Sequence, residues 1–158
     1  MRELILLRHA HALPASGAEA DIDRALSQDG IAEAQAAGKW LVEHNLIPDL
    51  VLCSPARRTR ETLSIVCDKA GYCEQRIEDE LYGASPGTLM ELLDAHRDMG
   101  RVMVVGHNPG LEQTVALISS GQSGDYRGVP PSGIAVLHLP ADAELEPGIA
   151  TLHNFWWP

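Results

Sequence analysis

A chain of 158 residues has room for one ordinary hydrophobic core, and two independent domains would each fall short. Hydrophobic residues at 45% and charged residues at 22% supply enough apolar surface to offset the entropy of ordering, which excludes a disordered chain. The formal net charge of −10 excludes a general nucleic-acid binder, whose affinity comes from cationic contacts to phosphates, although a negative whole can still hold a positive pocket.

Leu4 to Leu7 form an unbroken apolar run that reads as a buried parallel strand ending in Arg8 and His9. The run is too short and too early for a signal peptide, and none approaches the ~20 apolar residues needed to cross a bilayer. The expected location is the cytoplasm, with no membrane partner. Ser27 is a good N-cap for a first helix carrying Ile31, Ala34, Gly38, Leu41 and Val42 on one stripe, with Pro48 beyond its end. A second strand covers Leu50 to Leu52 around Cys53 and leads into Ser54 and Pro55. The next helix spans about Ala56 to Ala70, with Leu63, Val66 and Cys67 facing inward and Gly71 placed to stop it. After the Pro86–Gly87 break come a third helix over about Thr88 to Asp98, and a third strand, Val102 to Val105, that leads into Gly106, His107, Asn108 and Pro109. Leu111 to Ile118 reads as a short fourth helix, and Gly121 to Gly133 as a loop. Ile134 to Leu139 and Ile149 to Phe155 read as strands turned at Pro147–Gly148 and paired antiparallel at an edge. Cys53, Cys67 and Cys73 match no familiar metal spacing and read as reduced, mostly buried thiols. Trp156 and Trp157 read as packing over the sheet edge.

This alternation predicts a three-layer α/β/α sandwich with a mainly parallel sheet and an antiparallel edge, in one domain over residues 1–158. Ligands of such sheets gather at the carboxyl ends of strands, where Arg8, His9, Ser54 and His107 all fall. Phosphoryl transfer asks for an in-line nucleophile and for cations matching the charge on the equatorial oxygens. A neutral His9 supplies a ring nitrogen, and Arg8 with a second arginine would bind phosphate and hold the imidazole unprotonated by like-charge repulsion. His9 would need an orienting partner on its other ring nitrogen, with a backbone carbonyl the natural candidate. Ser132–Gly133 can bring a backbone amide to the phosphate, since small residues permit close approach.

The motifs Leu7-Arg8-His9-Ala10, Ser54-Pro55-Ala56-Arg57-Arg58-Thr59-Arg60-Glu61-Thr62 and Val105-Gly106-His107-Asn108-Pro109 resemble, in order, the three signatures of the histidine phosphatase superfamily. Arg24-Ala25-Leu26-Ser27-x-x-Gly30 extends the likeness, and Ala10 departs from the usual glycine. The resemblance implies the phosphoglycerate mutase-like fold, with His9 as phosphoryl acceptor, Arg8 and Arg58 as phosphate ligands and His107 completing the pocket. Arg57 is then off register. The brief interval 72 to 100 resembles the SixA-type phosphohistidine phosphatases, which lack a large helical cap, and so implies a pocket open to a phosphorylated protein such as a histidine phosphotransfer domain. The implied reaction uses no metal and no organic cofactor. A general acid is usual in the superfamily for alkoxide leaving groups, and Glu80 is the nearest match, while counting four residues before Gly83 gives Asp79.

Each residue also has a plainer reading: His9 as a capping histidine, Arg58 as a solvated arginine, His107 as satisfying a turn, Glu80 as a surface carboxylate. The rival functions are a phosphatase for small phosphomonoesters or sugar phosphates, a metal-dependent hydrolase using His9-x-His11, and a phosphoprotein-binding module without turnover. His11, His44, His96, His138 and His153 do not extend the pattern.

Overall fold

The computed structural model describes residues 1–71, 73–125 and 128–158. Six strands, β1 (Arg2–Arg8), β2 (Leu50–Cys53), β3 (Gln75–Ile77), β4 (Arg101–Gly106), β5 (Ile134–Leu139) and β6 (Thr151–Trp156), form one sheet in the order β3-β2-β4-β1-β5-β6. The first four in that order run parallel, β5 is antiparallel to β1, and β6 is antiparallel to β5. Four helices accompany them: α1 (Gln28–Glu43), α2 (Arg57–Ala70), α3 (Pro86–Asp94) and α4 (Gly110–Ser120).

Because successive side chains of a strand point to opposite faces, the continuous apolar runs build two cores. Leu4, Leu6, Leu52 and Val104 pack against Leu89 and Leu93 of α3 and Leu111 and Ile118 of α4. Ile5, Leu7, Val51 and Met103 pack on the other face against Leu41 of α1 and Leu63 and Val66 of α2. These are the expected three layers. Neighbouring strands β1 and β4 send their chains to opposite faces, β1 into α1 and β4 into α4, so the polypeptide parts between their carboxyl ends and leaves a crevice there. The His9 amide donates to the Gly106 carbonyl across it (3.1 Å).

Several details differ from expectation. The Ser27 hydroxyl caps α1 by accepting from Gly30 N–H, but Ile31 and Val42 are 41% and 43% exposed. Ala34, Gly38 and Leu41 are buried as expected, and Gly30, Ala37 and Trp40 complete the buried face in place of Ile31 and Val42. Close packing selects it: a Cβ at Gly38 would stand 2.9 Å from Lys69 Cβ, so α1 and α2 approach nearly backbone to backbone. The third helix stops at Asp94, four residues early, because the chain must turn back to enter β4 at Arg101. Strand β3 escaped the sequence reading since all three of its residues are exposed and only its backbone pairs with β2. Within the expected loop from Gly121 to Gly133, residues 126 and 127 lie outside the described residues, as does residue 72 of the interval 72 to 100. That interval otherwise holds β3, a 3-10 turn at Asp79–Leu81 and α3, with no large cap. Trp156 stacks on Trp40 of α1, whereas Trp157 is 54% exposed. Among the described residues, no helix is long and apolar enough to cross a membrane.

Candidate active site

His9 and His107 leave the sheet from adjacent strands and their rings lie 5.3 Å apart between centroids. His9 Nδ1 lies 2.7 Å from the Ala10 carbonyl oxygen. A carbonyl can only accept, so Nδ1 carries the proton and Nε2 keeps its lone pair; the orienting carbonyl foreseen from the sequence is that of the next residue. His107 Nε2 lies 2.7 Å from Ser54 Oγ, which itself accepts from the Ala56 amide. Arg8 donates to the Val129 carbonyl (3.0 Å) from the end of β1. Arg58, in the first turn of α2, is 7% exposed and donates to Asp21 through Nη1 to the backbone oxygen (2.9 Å) and Nη2 to Oδ2 (3.1 Å).

Both imidazoles are held neutral. Burial, first, pushes His9 down to about 4, with Arg58, Arg8 and Arg24 adding to the fall and the Ala10 hydrogen bond opposing it. Burial likewise leads for His107, pushed down to about 3 with help from His9 and Arg58. Arginine repulsion, which the sequence offered as the cause, is thus a contributor behind desolvation.

Buried polar atoms in folded proteins nearly always find partners, so the exceptions are informative. Among the described residues five buried side-chain nitrogen or oxygen atoms have none: Arg2 Nε, Arg8 Nε, Arg58 Nε, His107 Nδ1 and Ser132 Oγ. Four of these five belong to residues singled out from sequence as phosphate ligands. Ser132 is fully buried with φ +59°, and its amide donates to the His9 carbonyl (3.2 Å) while that of Gly133 donates to Pro130. The backbone amides expected to face phosphate are therefore committed elsewhere, and the hydroxyl is the group left open.

Other candidates separate from this cluster. Glu80 sits exposed in the 3-10 turn, and no hydrogen bond or ion pair among the described residues joins its carboxylate to His9, Arg8, Arg58 or His107. Arg57 is exposed and pairs with Glu61 (3.4 Å), while exposed Arg60 donates to Pro55 O (3.0 Å). His11 turns to Ser27 Oγ (2.7 Å) rather than joining His9, and among the described residues no group of three or more His, Cys, Asp or Glu could hold a metal ion. Ser54, placed with the site from the sequence, is brought to His107, whereas Asp21 and Tyr82 are the members that sequence reasoning missed. Tyr82 donates its hydroxyl to Asp21, meets the His107 ring edge-on at 5.6 Å and lies beneath the Arg58 guanidinium at 5.9 Å. A cavity of about 230 Å³ opens beside His107, lined by Gly83, Ser85, Pro86, Asn108, Gly110 and Gln113 among others.

The family model described as histidine phosphatase superfamily (branch 1) matches residues 4–100. The chain belongs to the histidine phosphatase superfamily. An uncharacterized protein of Mycobacterium tuberculosis is 38% identical over 96% of this chain and 99% of its own length. Among solved structures, the candidate phosphohistidine phosphatase SixA of Agrobacterium tumefaciens superposes with a TM-score of 0.87 at 33% identity, covering 99% of this chain and 98% of that one. The SixA candidate of Nakamurella multipartitia gives 0.85 at 34% identity over 99% and 96%. The departure of this family member at Ala10 has a local basis. Its methyl group is fully buried with Leu26 and Ala34, and its amide donates to Thr62 Oγ1 (3.0 Å), so a side chain fits where the superfamily usually has glycine.

Proposed function

We propose that this histidine phosphatase is a metal-independent cytoplasmic enzyme that removes phosphoryl groups from phosphohistidine on a protein, through a phosphohistidine intermediate at His9. The observation that carries the reading is the set of unpartnered donors on Arg8, Arg58, His107 and Ser132 around a neutral His9. A phosphoryl group offers those donors acceptors in return.

In the first step the Nε2 lone pair of His9 forms a bond to phosphorus while the substrate's phosphorus–nitrogen bond breaks and its electron pair returns to that nitrogen, so that a substrate ring protonated on its other nitrogen departs as neutral imidazole. Arg8 and Arg58 match the equatorial charge with planar donors. With Ser54 donating to His107 Nε2, Nδ1 of that ring carries the proton and reaches a phosphoryl oxygen. In the second step water attacks phosphorus, the bond to His9 breaks, and inorganic phosphate leaves with the lone pair back on Nε2. An imidazole leaves more readily than an alkoxide, which suits a site whose candidate acid, Glu80, stands in solvent. The absence of a large cap leaves room for a folded partner such as a histidine phosphotransfer domain. The similarity to SixA structures supports the same choice.

The test compares turnover of a phosphohistidine-bearing phosphotransfer domain with a panel of small phosphomonoesters and sugar phosphates. A kcat/KM advantage for the protein is expected. A clear preference for the small esters would overturn the substrate and leave the nucleophile standing.

A further inference from the structure

Asp21 is a carboxylate paired directly with Arg58 inside the cationic cluster, and it lies outside the sequence motifs that define the site. An anion beside a phosphate pocket weakens phosphate binding on charge alone, so its presence calls for an offsetting role. Its contacts supply one. Each terminal nitrogen of Arg58 gives one N–H to Asp21, Nη1 to the backbone oxygen and Nη2 to Oδ2, while the buried Nε has no partner. A planar fork gripped at its end presents its side edge, Nε–H beside the remaining N–H of a terminal nitrogen, to a ligand. Asp21 is itself fixed from two more directions: Arg24 donates to Oδ1 (3.0 Å) while its Nε holds the Leu13 carbonyl (2.8 Å), and the Tyr82 hydroxyl donates to Oδ2. Those bonds, led by that of Tyr82, hold the Asp21 carboxyl well below the usual carboxylate range, so it serves as a fixed anion and not as a proton donor.

We infer that Asp21 is a positioning residue that clamps Arg58 end-on so that its Nε edge meets the phosphoryl oxygens, with Tyr82 bracing the clamp. The inference rests on Arg58 being a phosphate ligand, and it assigns the exposed 3-10 turn at Asp21–Asp23 a role in ligand recognition. Tyr82 then connects three parts of the pocket, since the same side chain touches Asp21, the Arg58 guanidinium and the His107 ring.

Inorganic phosphate, titrated calorimetrically, is a probe independent of the physiological substrate. Dissociation constants are measured for the unaltered protein, Asp21→Ala, Arg58→Ala and the double variant. Simple electrostatics predicts tighter phosphate after Asp21→Ala, whereas the clamp predicts weakening by ~10-fold in the unaltered background and by less than ~2-fold when Arg58 is already gone. Asp21→Asn, which keeps an acceptor for Arg58, should recover most of the loss. Should Asp21→Ala fail to fold, the exposed Tyr82→Phe takes its place, with a ~3-fold loss expected that vanishes in the Arg58→Ala background. Equal losses in both backgrounds, or tighter binding after Asp21→Ala, would overturn the clamp. Unchanged phosphate affinity in Arg58→Ala would instead overturn the underlying assignment of Arg58.

Discussion

The protonation state of His9 offers the sharpest quantitative check. An ordinary histidine titrates at 6.5, whereas burial and three arginines bring His9 down to about 4. At pH 5 an ordinary imidazole would be only ~3% neutral, and His9 about 90% neutral. The fall from 6.5 to about 4 corresponds to about 3 kcal/mol in favour of the uncharged ring. Between pH 6.5 and about 4 the unfolded chain binds the extra proton and the folded one does not. This stability contribution is therefore complete above pH 6.5 and is lost as pH falls toward 4. NMR titration of labelled histidine rings, with His9 assigned by substitution, reads the midpoint directly and avoids the titration of a phosphate substrate. Arg8→Ala and Arg58→Ala should each restore only a minor part of the depression, because desolvation leads. A His9 midpoint near 6.5 in the folded protein, or full restoration by one arginine deletion, would refute the reasoning.

Two further perturbations separate geometry from composition. Arg58→Ala should lower kcat/KM by ~100-fold or more, in line with loss of an electrostatic donor, while the solvent-facing Arg57→Ala should retain most activity; equal losses would show that the register on α2 is wrong. A Cβ at Gly30 would stand 2.1 Å from the His11 carbonyl oxygen, so Gly30→Ala should destabilise by about 1–3 kcal/mol in denaturant unfolding. Gly124→Ala, which meets nothing within 4 Å, should be nearly neutral.

The elements that carry the site were legible because their signals are local. Continuous apolar runs marked β1, β2 and β4, and the residues following them fell at the carboxyl end of a parallel sheet. What escaped was set by packing between elements. On α1 the expected Ala34, Gly38 and Leu41 are buried, but the inward face follows glycines that admit a neighbouring backbone, so the larger Ile31 and Val42 fall at its exposed margin. β3 has no buried residue and hence no pattern to find. Asp21 and Tyr82 are 61 positions apart, in two polar stretches of the kind that usually form solvated turns, and only their meeting at Arg58 gives them meaning. The adjacent Asp-x-Asp-Arg, just before the recognised Arg24 motif, was the available hint. Ser132 was noticed for its glycine neighbour, but the sequence pointed to an amide where the structure leaves a hydroxyl.

The central claim is that His9 takes the phosphoryl group. Reaction with a ³²P-labelled phosphohistidine protein, quenched in alkali to preserve phosphohistidine and followed by peptide mapping, tests it most directly. Label on the peptide containing His9, absent in His9→Ala together with turnover, is the predicted result. Turnover that survives in His9→Ala, or label recovered on a different residue, would contradict it.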